Sequence, residues 1–347
     1  MKVGIVGYSG VGKSTVFQWL TGVAADPAKV AQSGQVGMAR VPDPRLDWLS
    51  EKFDPRKTTY ATIEILDTPG LLVAEREGNP RRLGILREGG GLVVVLDAFS
   101  GADRLDAQLL QFRQELVFAD LDIVTGRIGR LGDQLKKNRP AKEKEVLQAE
   151  LDLLGRIHRQ FEAEKPIADL SIKPDEEKLI RSFQLLTLKP EVVLVNCAEE
   201  AWKKPLPAGL LALAPTALKA NPKLEMELAE LGEEDRAMFM ADMGLDRFVK
   251  DETLLGIHAQ LGLQVFFTVG EDECRAWPIP KGADAVVGAS QIHTDLGKRF
   301  VRAEVVGYDD FKRVGSMKDA KSAGVYRLEG KTYIVKDGDI MHILAST

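Results

Sequence analysis

Short apolar runs separated by turns mark the first hundred positions of this 347-residue chain. Four runs, each about the length of a strand, lie at residues 3–6, 36–40, 61–66 and 91–97. Runs of this size that alternate with turns and helical stretches are typical of an α/β fold. The pattern therefore predicts a mostly parallel sheet within residues 1–100.

A helical pattern follows over residues 101–187, where apolar residues step by three and four in two stretches separated by Asn138-Arg139-Pro140. This spacing predicts two helices joined by a short turn, as in an antiparallel coiled-coil hairpin. The stepping residues are Leu121, Val124, Ile128, Leu131 and Leu135 before the turn, and Leu147, Leu151, Leu154 and Phe161 after it.

Sheet character returns after the hairpin. Val192–Val195 predicts a buried strand, Leu210–Leu213 predicts a weaker one, and residues 224–261 have a helical pattern. We therefore expect residues 188–261 to complete the domain that residues 1–100 begin, with the hairpin as an insertion between its strands.

Short strands and turns dominate the chain from residue 262 onward, which predicts a third domain at residues 262–347. Asp337-Gly338 is a dipeptide typical of hairpin turns. The predicted strands are Val265–Thr268, Cys274–Ile279, Val301–Val305, Thr332–Val335 and Ile340–Leu344.

The composition is that of an ordinary globular protein, with 44% hydrophobic and 29% charged residues. A net charge of -5 argues against a surface coated by nucleic acid, and no DNA-specific signal is present, so any RNA contact must come from a local patch. Cys197 and Cys274 fit no metal-binding spacing, which predicts a reduced, cytoplasmic setting. No apolar run reaches membrane-spanning length, and we expect neither a membrane partner nor a signal peptide.

The strongest chemical signal is Gly7-x4-Gly12-Lys13-Ser14, a Walker A phosphate-binding loop between a predicted strand and a predicted helix. Its glycines let successive backbone N–H groups point at a phosphate, Lys13 adds positive charge, and the Ser14 hydroxyl can ligate Mg²⁺. The predicted nucleotide-binding residues of this loop are Gly10, Val11, Gly12, Lys13, Ser14 and Thr15.

A second phosphate-sensing element follows the strand at residues 61–66. Asp67 is placed to hold Mg²⁺, and Gly70 can offer its N–H to a γ-phosphate, a contact that exists only while that phosphate is present. Many GTPases carry a glutamine after this glycine to orient the attacking water, but here the residue is Leu71. Any hydrolysis is therefore expected to be slow or to use groups from elsewhere.

A base-reading element is predicted at Asn196-Cys197-Ala198-Glu199, directly after a buried strand. Guanine-specific proteins place Asn-Lys-x-Asp there, and the aspartate accepts hydrogen bonds from guanine. Glu199 carries a longer side chain, which shifts the acceptor and spoils that bidentate contact. Asn196, Cys197 and Glu199 are the residues predicted to line the base.

Further motifs extend this pattern along nearly the whole chain. They are Gly10-Val11-Gly12-Lys13-Ser14-Thr15, Val41-Pro42-Asp43-Pro44-Arg45-Leu46-Asp47, Ala61-Thr62-Ile63-Glu64, Glu115-Leu116, Ala119-Asp120-Leu121-Asp122, Glu227-Leu228-Ala229-Glu230-Leu231, Phe266-Phe267-Thr268-Val269-Gly270, Arg275-Ala276-Trp277, Ile292-His293-Thr294-Asp295, Arg302-Ala303-Glu304-Val305 and Asp337-Gly338-Asp339-Ile340. In these motifs the chain resembles the YchF family, also called Obg-like ATPases, within the translation-related P-loop GTPase class.

The resemblance implies a P-loop G domain, a coiled-coil insertion and a C-terminal TGS domain of β-grasp type. It also implies Mg²⁺ as cofactor, ATP preferred over GTP as substrate, and an association with ribosomes in which the TGS domain contacts RNA. Two other functions stay open: a GTPase of the same class, and a nucleotide-gated adaptor that binds RNA or ribosomes with little hydrolysis.

The chain also departs from the family pattern. The family places a threonine that reaches Mg²⁺ and the γ-phosphate where this chain has Ala31, so either Ser33 replaces the contact or the contact is absent. The expected result is a divergent member whose triphosphate binding is better supported than its hydrolysis.

Basic residues form two groups whose roles the sequence leaves open. Those at the predicted hairpin tip either touch RNA phosphates or form a solvated helix end: Lys136, Lys137, Arg139, Lys142 and Lys144. Those after the second phosphate-sensing element either face water or lie near the γ-phosphate: Arg81, Arg82 and Arg87.

Overall fold

The structure is a computed structural model, and it describes residues 2–72, 78–99, 101, 104–165, 167, 170–202, 204–243, 245 and 248–346. The strands are β1 (Lys2–Val6), β2 (Gln35–Arg40), β3 (Lys57–Thr59), β4 (Thr62–Asp67), β5 (Gly91–Asp97), β6 (Glu191–Asn196), β7 (Leu218–Ala220), β8 (Leu263–Thr268), β9 (Glu273–Pro280), β10 (Phe300–Gly307), β11 (Arg327–Glu329) and β12 (Asp339–Ala345).

The helices alternate with these strands, and two 3-10 turns lie at Arg181–Phe183 and Leu186–Leu188. They are α1 (Lys13–Thr21), α2 (Pro27–Ser33), α3 (Pro44–Phe53), α4 (Asn79–Gly84), α5 (Leu105–Leu135), α6 (Ala141–Glu162), α7 (Pro174–Ile180), α8 (Glu199–Trp202), α9 (Ala208–Leu213), α10 (Pro222–Ala229), α11 (Glu233–Met243), α12 (Lys250–Gln260), α13 (Ala285–Ile292), α14 (Thr294–Lys298), α15 (Tyr308–Val314) and α16 (Met317–Ser322).

Tertiary contacts divide the chain into two compact units. The first, called here the N-terminal unit, contains residues 1–37 and 64–247, and the second, the C-terminal unit, contains residues 38–63 and 248–347. The finer division into three domains, with boundaries near residues 100, 187 and 261, stays a prediction.

The predicted parallel sheet is confirmed, with strand order β2-β4-β1-β5-β6-β7. β1 pairs in parallel with β4 and β5, and β6 pairs in parallel with β5 and β7. The register places Ile5 beside Asp67 and Asp97 beside Asn196. Because parallel strands end at the same edge of a sheet, the residues that follow β1, β4 and β6 lie at one edge, as in other open α/β sheets that bind ligands.

The helical hairpin is also present as α5 and α6. Val124, Leu131, Leu154 and Phe161 are buried in its core, together with Ile157, which the spacing rule did not select. Burying such an apolar face contributes about 25 cal/mol per Å² of area removed from water. The hairpin is therefore held by its own core over much of its length.

Two sequence-based strand predictions are wrong. Leu210–Leu213 lies in helix α9, because a short apolar run rich in alanine and leucine satisfies a helix as well as a strand. Thr332–Val335 contributes only an isolated bridge, between Ile334 and Asp284. The strand that pairs with β10 at that edge of the sheet is β11, at Arg327–Glu329.

The sheet of the C-terminal unit has the order β11-β10-β12-β8-β9-β3. Its last strand, β3, comes from residues 38–63 and pairs in parallel with β9, with Thr58 beside Cys274. Both cysteines of the chain are free thiols and are buried.

Arg45 joins the two segments of the C-terminal unit. Its Nε and Nη2 donate to the Asp43 carboxylate at 2.9 and 2.8 Å, and its Nη1 donates to Asp337 at 2.7 Å. Asp337 in turn accepts from the Val265 backbone N–H at 2.9 Å. Two of the motifs quoted above, around Asp43 and around Asp337, therefore meet in one ion-pair cluster with a structural role.

In the part of the chain that the structure describes, no helix combines the length and the apolar character that a membrane crossing requires.

His258 makes the stability of the C-terminal unit sensitive to pH. Its ring is 7% exposed, and Nε2 is buried without a hydrogen-bond partner among the described residues. Burial lowers the pKa of His258, an effect opposed by Asp337 and Asp43 and reinforced by Lys281 and Arg45. The unfolded chain therefore binds a proton more readily than the folded one, and folding loses stability as the pH falls below about 6.5.

We therefore expect the urea midpoint of the wild type to fall between pH 7.5 and pH 5, and His258→Gln to reduce that fall. His342→Gln is the control for removal of a histidine, because the His342 side chain is 73% exposed and lies beside Glu304 at the surface rather than in the core. An equal fall in all three proteins would contradict this role of His258.

Candidate nucleotide-binding site

The loop between β1 and α1 has the backbone shape that only glycine adopts without strain. Gly7, Gly10 and Gly12 have φ angles of 141°, 87° and 89°. Helix α1 starts at Lys13, so its N-terminal N–H groups and the positive end of its dipole face the loop. This arrangement is suited to binding a phosphate group.

Lys13 is held inside this loop. Its side chain is 6% exposed, and Nζ donates a hydrogen bond to the Tyr8 carbonyl at 2.8 Å. Burial lowers the pKa of the Lys13 ammonium to about 8, and the nearby Asp67 carboxylate opposes that shift. Burial disfavours the charged form of Lys13, and a polyanion that enters the loop would stabilise that charge.

Ser14 and Asp67 meet across the loop. Ser14 Oγ donates to Asp67 Oδ2 at 2.6 Å, and the Asp67 side chain is 0% exposed. Burial raises the pKa of Asp67, although Ser14, Lys13 and the Thr68 N–H lower it. Asp67 Oδ1 is buried without a hydrogen-bond partner among the described residues.

The donor set formed by Ser14 and Asp67 fits Mg²⁺. A hydroxyl and a carboxylate are hard oxygen ligands, and Mg²⁺ is usually bound through one or two protein oxygens together with substrate phosphates. The unpartnered Oδ1 of Asp67 is a buried acceptor that a cation, or a water bound to it, would satisfy.

The segment that follows β4, residues 68–72, is called here the sensor turn. Within it, Leu71 N–H donates to the Gly7 carbonyl at 3.1 Å, and Ser9 N–H donates to the Leu71 carbonyl at 2.9 Å. A Cβ atom on Gly70 would lie 2.7 Å from Ser9 Cα and 2.9 Å from Lys13 Nζ. Gly70 is therefore packed directly against the phosphate-binding loop, where only glycine fits.

The Leu71 side chain is 3% exposed and belongs to the core between the sheet and α5. A leucine side chain has no group that could donate or accept a hydrogen bond to orient a water. Gly34, which sequence reasoning did not select, also belongs to this region, because a Cβ on it would lie 3.0 Å from the Asp67 carbonyl oxygen. Its φ of 81° and ψ of 154° at the end of α2 are open essentially to glycine alone.

The predicted base-reading residues differ in their placement. Asn196 is 4% exposed, and its Nδ2 donates to the Val11 carbonyl at 3.0 Å, so this residue is fixed to the phosphate-binding loop. Glu199 is exposed at the start of α8. The expectation that the Cys197 side chain lines the base is not supported by its position: it is 0% exposed, Sγ donates to the Ala220 carbonyl at 3.2 Å, and burial raises its pKa to about 11.

Family models match two parts of the chain. One, 50S ribosome-binding GTPase, covers residues 2–125, and YchF-GTPase_C, whose description is a protein of unknown function, covers residues 263–346. The ribosome-binding ATPase YchF of Bacillus subtilis is 33% identical over 99% of this chain and 98% of its own length. The chain belongs to the YchF family. Among other YchF relatives, Obg-like ATPase 1 of rice is 32% identical over 98% of this chain and 91% of its own.

A solved YchF structure supports the same conclusion about the fold. The YchF GTPase of Schizosaccharomyces pombe superposes with a TM-score of 0.83, at 27% identity, and the match covers 99% of this chain and 97% of that one. The P-loop α/β fold predicted from the sequence is thereby confirmed.

The structure shows where the residues that depart from the YchF pattern lie, and where one arginine with an open role lies. Ala31 lies on the exposed surface of α2, and Ser33 Oγ donates to the Gly34 carbonyl at 3.5 Å. Arg87 neither faces water nor is free to reach a phosphate, because it pairs with the buried Asp120 at 2.7 Å. The side chain of Arg81 lies outside the described residues.

Proposed function

We propose that this P-loop nucleotide hydrolase is a Mg²⁺-dependent ATPase with slow intrinsic turnover that acts as a nucleotide switch on ribosomes. The observation that carries the proposal is the convergence of Lys13, Ser14 and Asp67 at the start of α1, with Ser14 Oγ 2.6 Å from Asp67 Oδ2. The names of its relatives, ribosome-binding ATPase and Obg-like ATPase, are consistent with this activity and partner.

The chemistry follows from positioning and charge. The N–H groups of the loop and the Lys13 ammonium would hold the phosphates, and the Gly70 N–H would contact the γ-phosphate. Mg²⁺ held by Ser14 and Asp67 would neutralise phosphate charge. The described residues of the sensor turn present no side chain that orients water, because Leu71 is buried, so we expect slow turnover by the isolated protein.

A preference for ATP is supported by Glu199, the exposed carboxylate that follows Asn196. Its longer side chain is mismatched to the paired donors of guanine, whereas the Asn196 side chain donates to the Val11 carbonyl of the phosphate-binding loop. A GTPase of the same class is the alternative, and a competition of ATP and GTP for one labelled nucleotide separates the two. A clear preference for GTP would contradict the assignment of Glu199.

Contact with ribosomal RNA is proposed for the hairpin tip and for the C-terminal unit, the expected TGS domain. At the tip, Arg139 pairs with Glu143 at 3.2 Å and Lys136 pairs with Asp133 at 3.1 Å, and both Lys136 and Lys137 are exposed. Acidic side chains therefore lie among the basic ones, which makes a salt-sensitive contact of few phosphates the expected mode. With such a partner the protein would act in the cytoplasm. Cosedimentation with ribosomal subunits at low and high salt tests it.

The decisive experiment compares phosphate release from ATP over hours by the wild type and by Lys13→Ala. We expect magnesium-dependent release by the wild type and release at the buffer level by Lys13→Ala, since the ammonium is the main protein charge at the phosphates. Lys52→Ala is the matched control, because Lys52 is exposed on α3. Equal release by wild type and Lys13→Ala would leave the adaptor function as the better account.

A further inference from the structure

We infer that Asn79 positions the sensor turn and links it to helix α5. Asn79 is the first residue of α4, lies in the N-terminal unit and has a side chain that is 0% exposed. A buried amide must have partners for its hydrogens and its oxygen, and those partners identify its role.

The first set of partners belongs to a single residue of the sensor turn. Leu72 N–H donates to Asn79 Oδ1 at 3.0 Å, and Asn79 Nδ2 donates to the Leu72 carbonyl at 3.0 Å. Arg82, in the same helix as Asn79, also donates to Oδ1 through Nη1, at the longer distance of 3.3 Å. The side-chain amide therefore satisfies both backbone groups of Leu72, as a neighbouring strand would. Because Leu72 follows Gly70 by two residues, this pairing fixes the end of the turn whose glycine is proposed to contact the γ-phosphate.

The second partner lies on α5. Asn79 Nδ2 also donates to Glu115 Oε2 at 2.9 Å, and Glu115 is 4% exposed. The amide nitrogen has two hydrogens, so one is used for Leu72 and the other for Glu115. A hydrogen bond to a buried carboxylate is stronger than one between neutral groups, and it makes the connection to α5 directional.

The chain after α4 is attached to α5 at another point. Arg87 Nη1 donates to Asp120 at 2.7 Å, and Arg87 Nη2 donates to the Ala119 carbonyl at 2.9 Å. With contacts at Glu115 and at Asp120, a shift of Leu72 is passed to α5 rather than absorbed by a loop. Helix α5 runs on to Leu135, next to the hairpin tip.

One readout of this inference, the change in kcat and KM, depends on the proposed hydrolysis. Losing the two hydrogen bonds to Leu72 would let the sensor turn move, while the phosphate-binding loop would keep its own contacts. We therefore expect Asn79→Ala to lower kcat by about tenfold while KM changes by less than about threefold, the pattern of a residue that orients rather than binds.

Three variants separate the link to Glu115 from the contacts with Leu72. Asn79→Ala removes every side-chain hydrogen bond of residue 79. Asn79→Asp keeps an acceptor for Leu72 N–H and Arg82, loses the donor to the Leu72 carbonyl and sets a carboxylate against Glu115. Asn79→Asp combined with Glu115→Gln restores the link to α5 with donor and acceptor exchanged, so it should regain the part of the turnover that depends on that link. Glu145→Gln, at an exposed position of α6, is the control for removal of a glutamate charge.

Hydrogen exchange supplies a readout that does not need activity. Asn79→Ala should increase exchange at the Leu72 amide, and it should abolish any difference in exchange over residues 112–120 between the diphosphate and a non-hydrolysable triphosphate analogue. Asn79→Ala with wild-type kcat and wild-type protection of Leu72 would overturn the inference. If the wild type itself releases no phosphate above Lys13→Ala, the proposed function fails, and the exchange at Leu72 alone decides this one.

Discussion

Gly12→Ala is expected to weaken binding of Mg·ATP by about a hundredfold. Two effects combine at this position. Its φ of 89° costs an L-residue about 1–2 kcal/mol. A Cβ there would also lie 2.1 Å from Asn196 Nδ2, which must move away from the Val11 carbonyl. Breaking that buried hydrogen bond costs about 1–3 kcal/mol and disturbs the phosphate loop and the base-reading segment together.

Gly22→Ala is the control, because it also places a side chain at a positive φ but causes no steric clash. Gly22 ends the same helix with a φ of 72°, and a Cβ on it would meet nothing within 4 Å. Titration calorimetry with Mg·ATP should therefore show wild-type affinity for Gly22→Ala, with a small loss of thermal stability. If the two variants bind equally well, the contact between Gly12 and Asn196 does not shape the nucleotide site.

Asp120→Ala is expected to lower the free energy of unfolding of the N-terminal unit by about 3–5 kcal/mol. The carboxylate is 0% exposed and accepts four hydrogen bonds, from Arg87 at 2.7 Å, Leu186 N–H at 3.1 Å, and Thr187 N–H and Oγ1 at 2.9 and 2.8 Å. Its removal would leave the buried Leu186 N–H without its acceptor and the Arg87 charge without its partner.

Asp122→Ala is the matched control, since Asp122 is exposed two residues further along α5. Urea unfolding followed by circular dichroism should show a much lower midpoint for Asp120→Ala and a midpoint close to wild type for Asp122→Ala. Equal midpoints for the two variants would show that the pair with Arg87 contributes little to folding.

The phosphate-binding half of the candidate site was predictable from sequence because its chemistry is local. Gly12, Lys13 and Ser14 are consecutive, and the backbone shape that they need is encoded in the glycines themselves. Asp67 was predictable for a related reason, since it ends a buried strand that must lie beside β1 in a parallel sheet.

The remaining features depend on contacts that spacing along the chain does not encode. Asn79 lies in a charged stretch of sequence, and its role can be recognised only from its hydrogen bonds to Leu72 and Glu115 in the folded chain. Cys197 occupies a motif position, yet β7 covers it, as its hydrogen bond to Ala220 shows. The pairing of β3 with β9 joins Thr58 to Cys274, and no local pattern reports a partner so far away in sequence.

That distant pairing constrains how the protein can be dissected. Cutting the chain after residue 247 would remove β9, the partner of β3, but keep the segment of residues 38–63. Leu46 and Leu49, both 0% exposed in the intact protein, and Phe53, which stacks on Phe311 at 5.6 Å, would then face water. A soluble fragment for studying the nucleotide site in isolation therefore has to replace residues 41–61, between β2 and β4, by a short linker as well as end early.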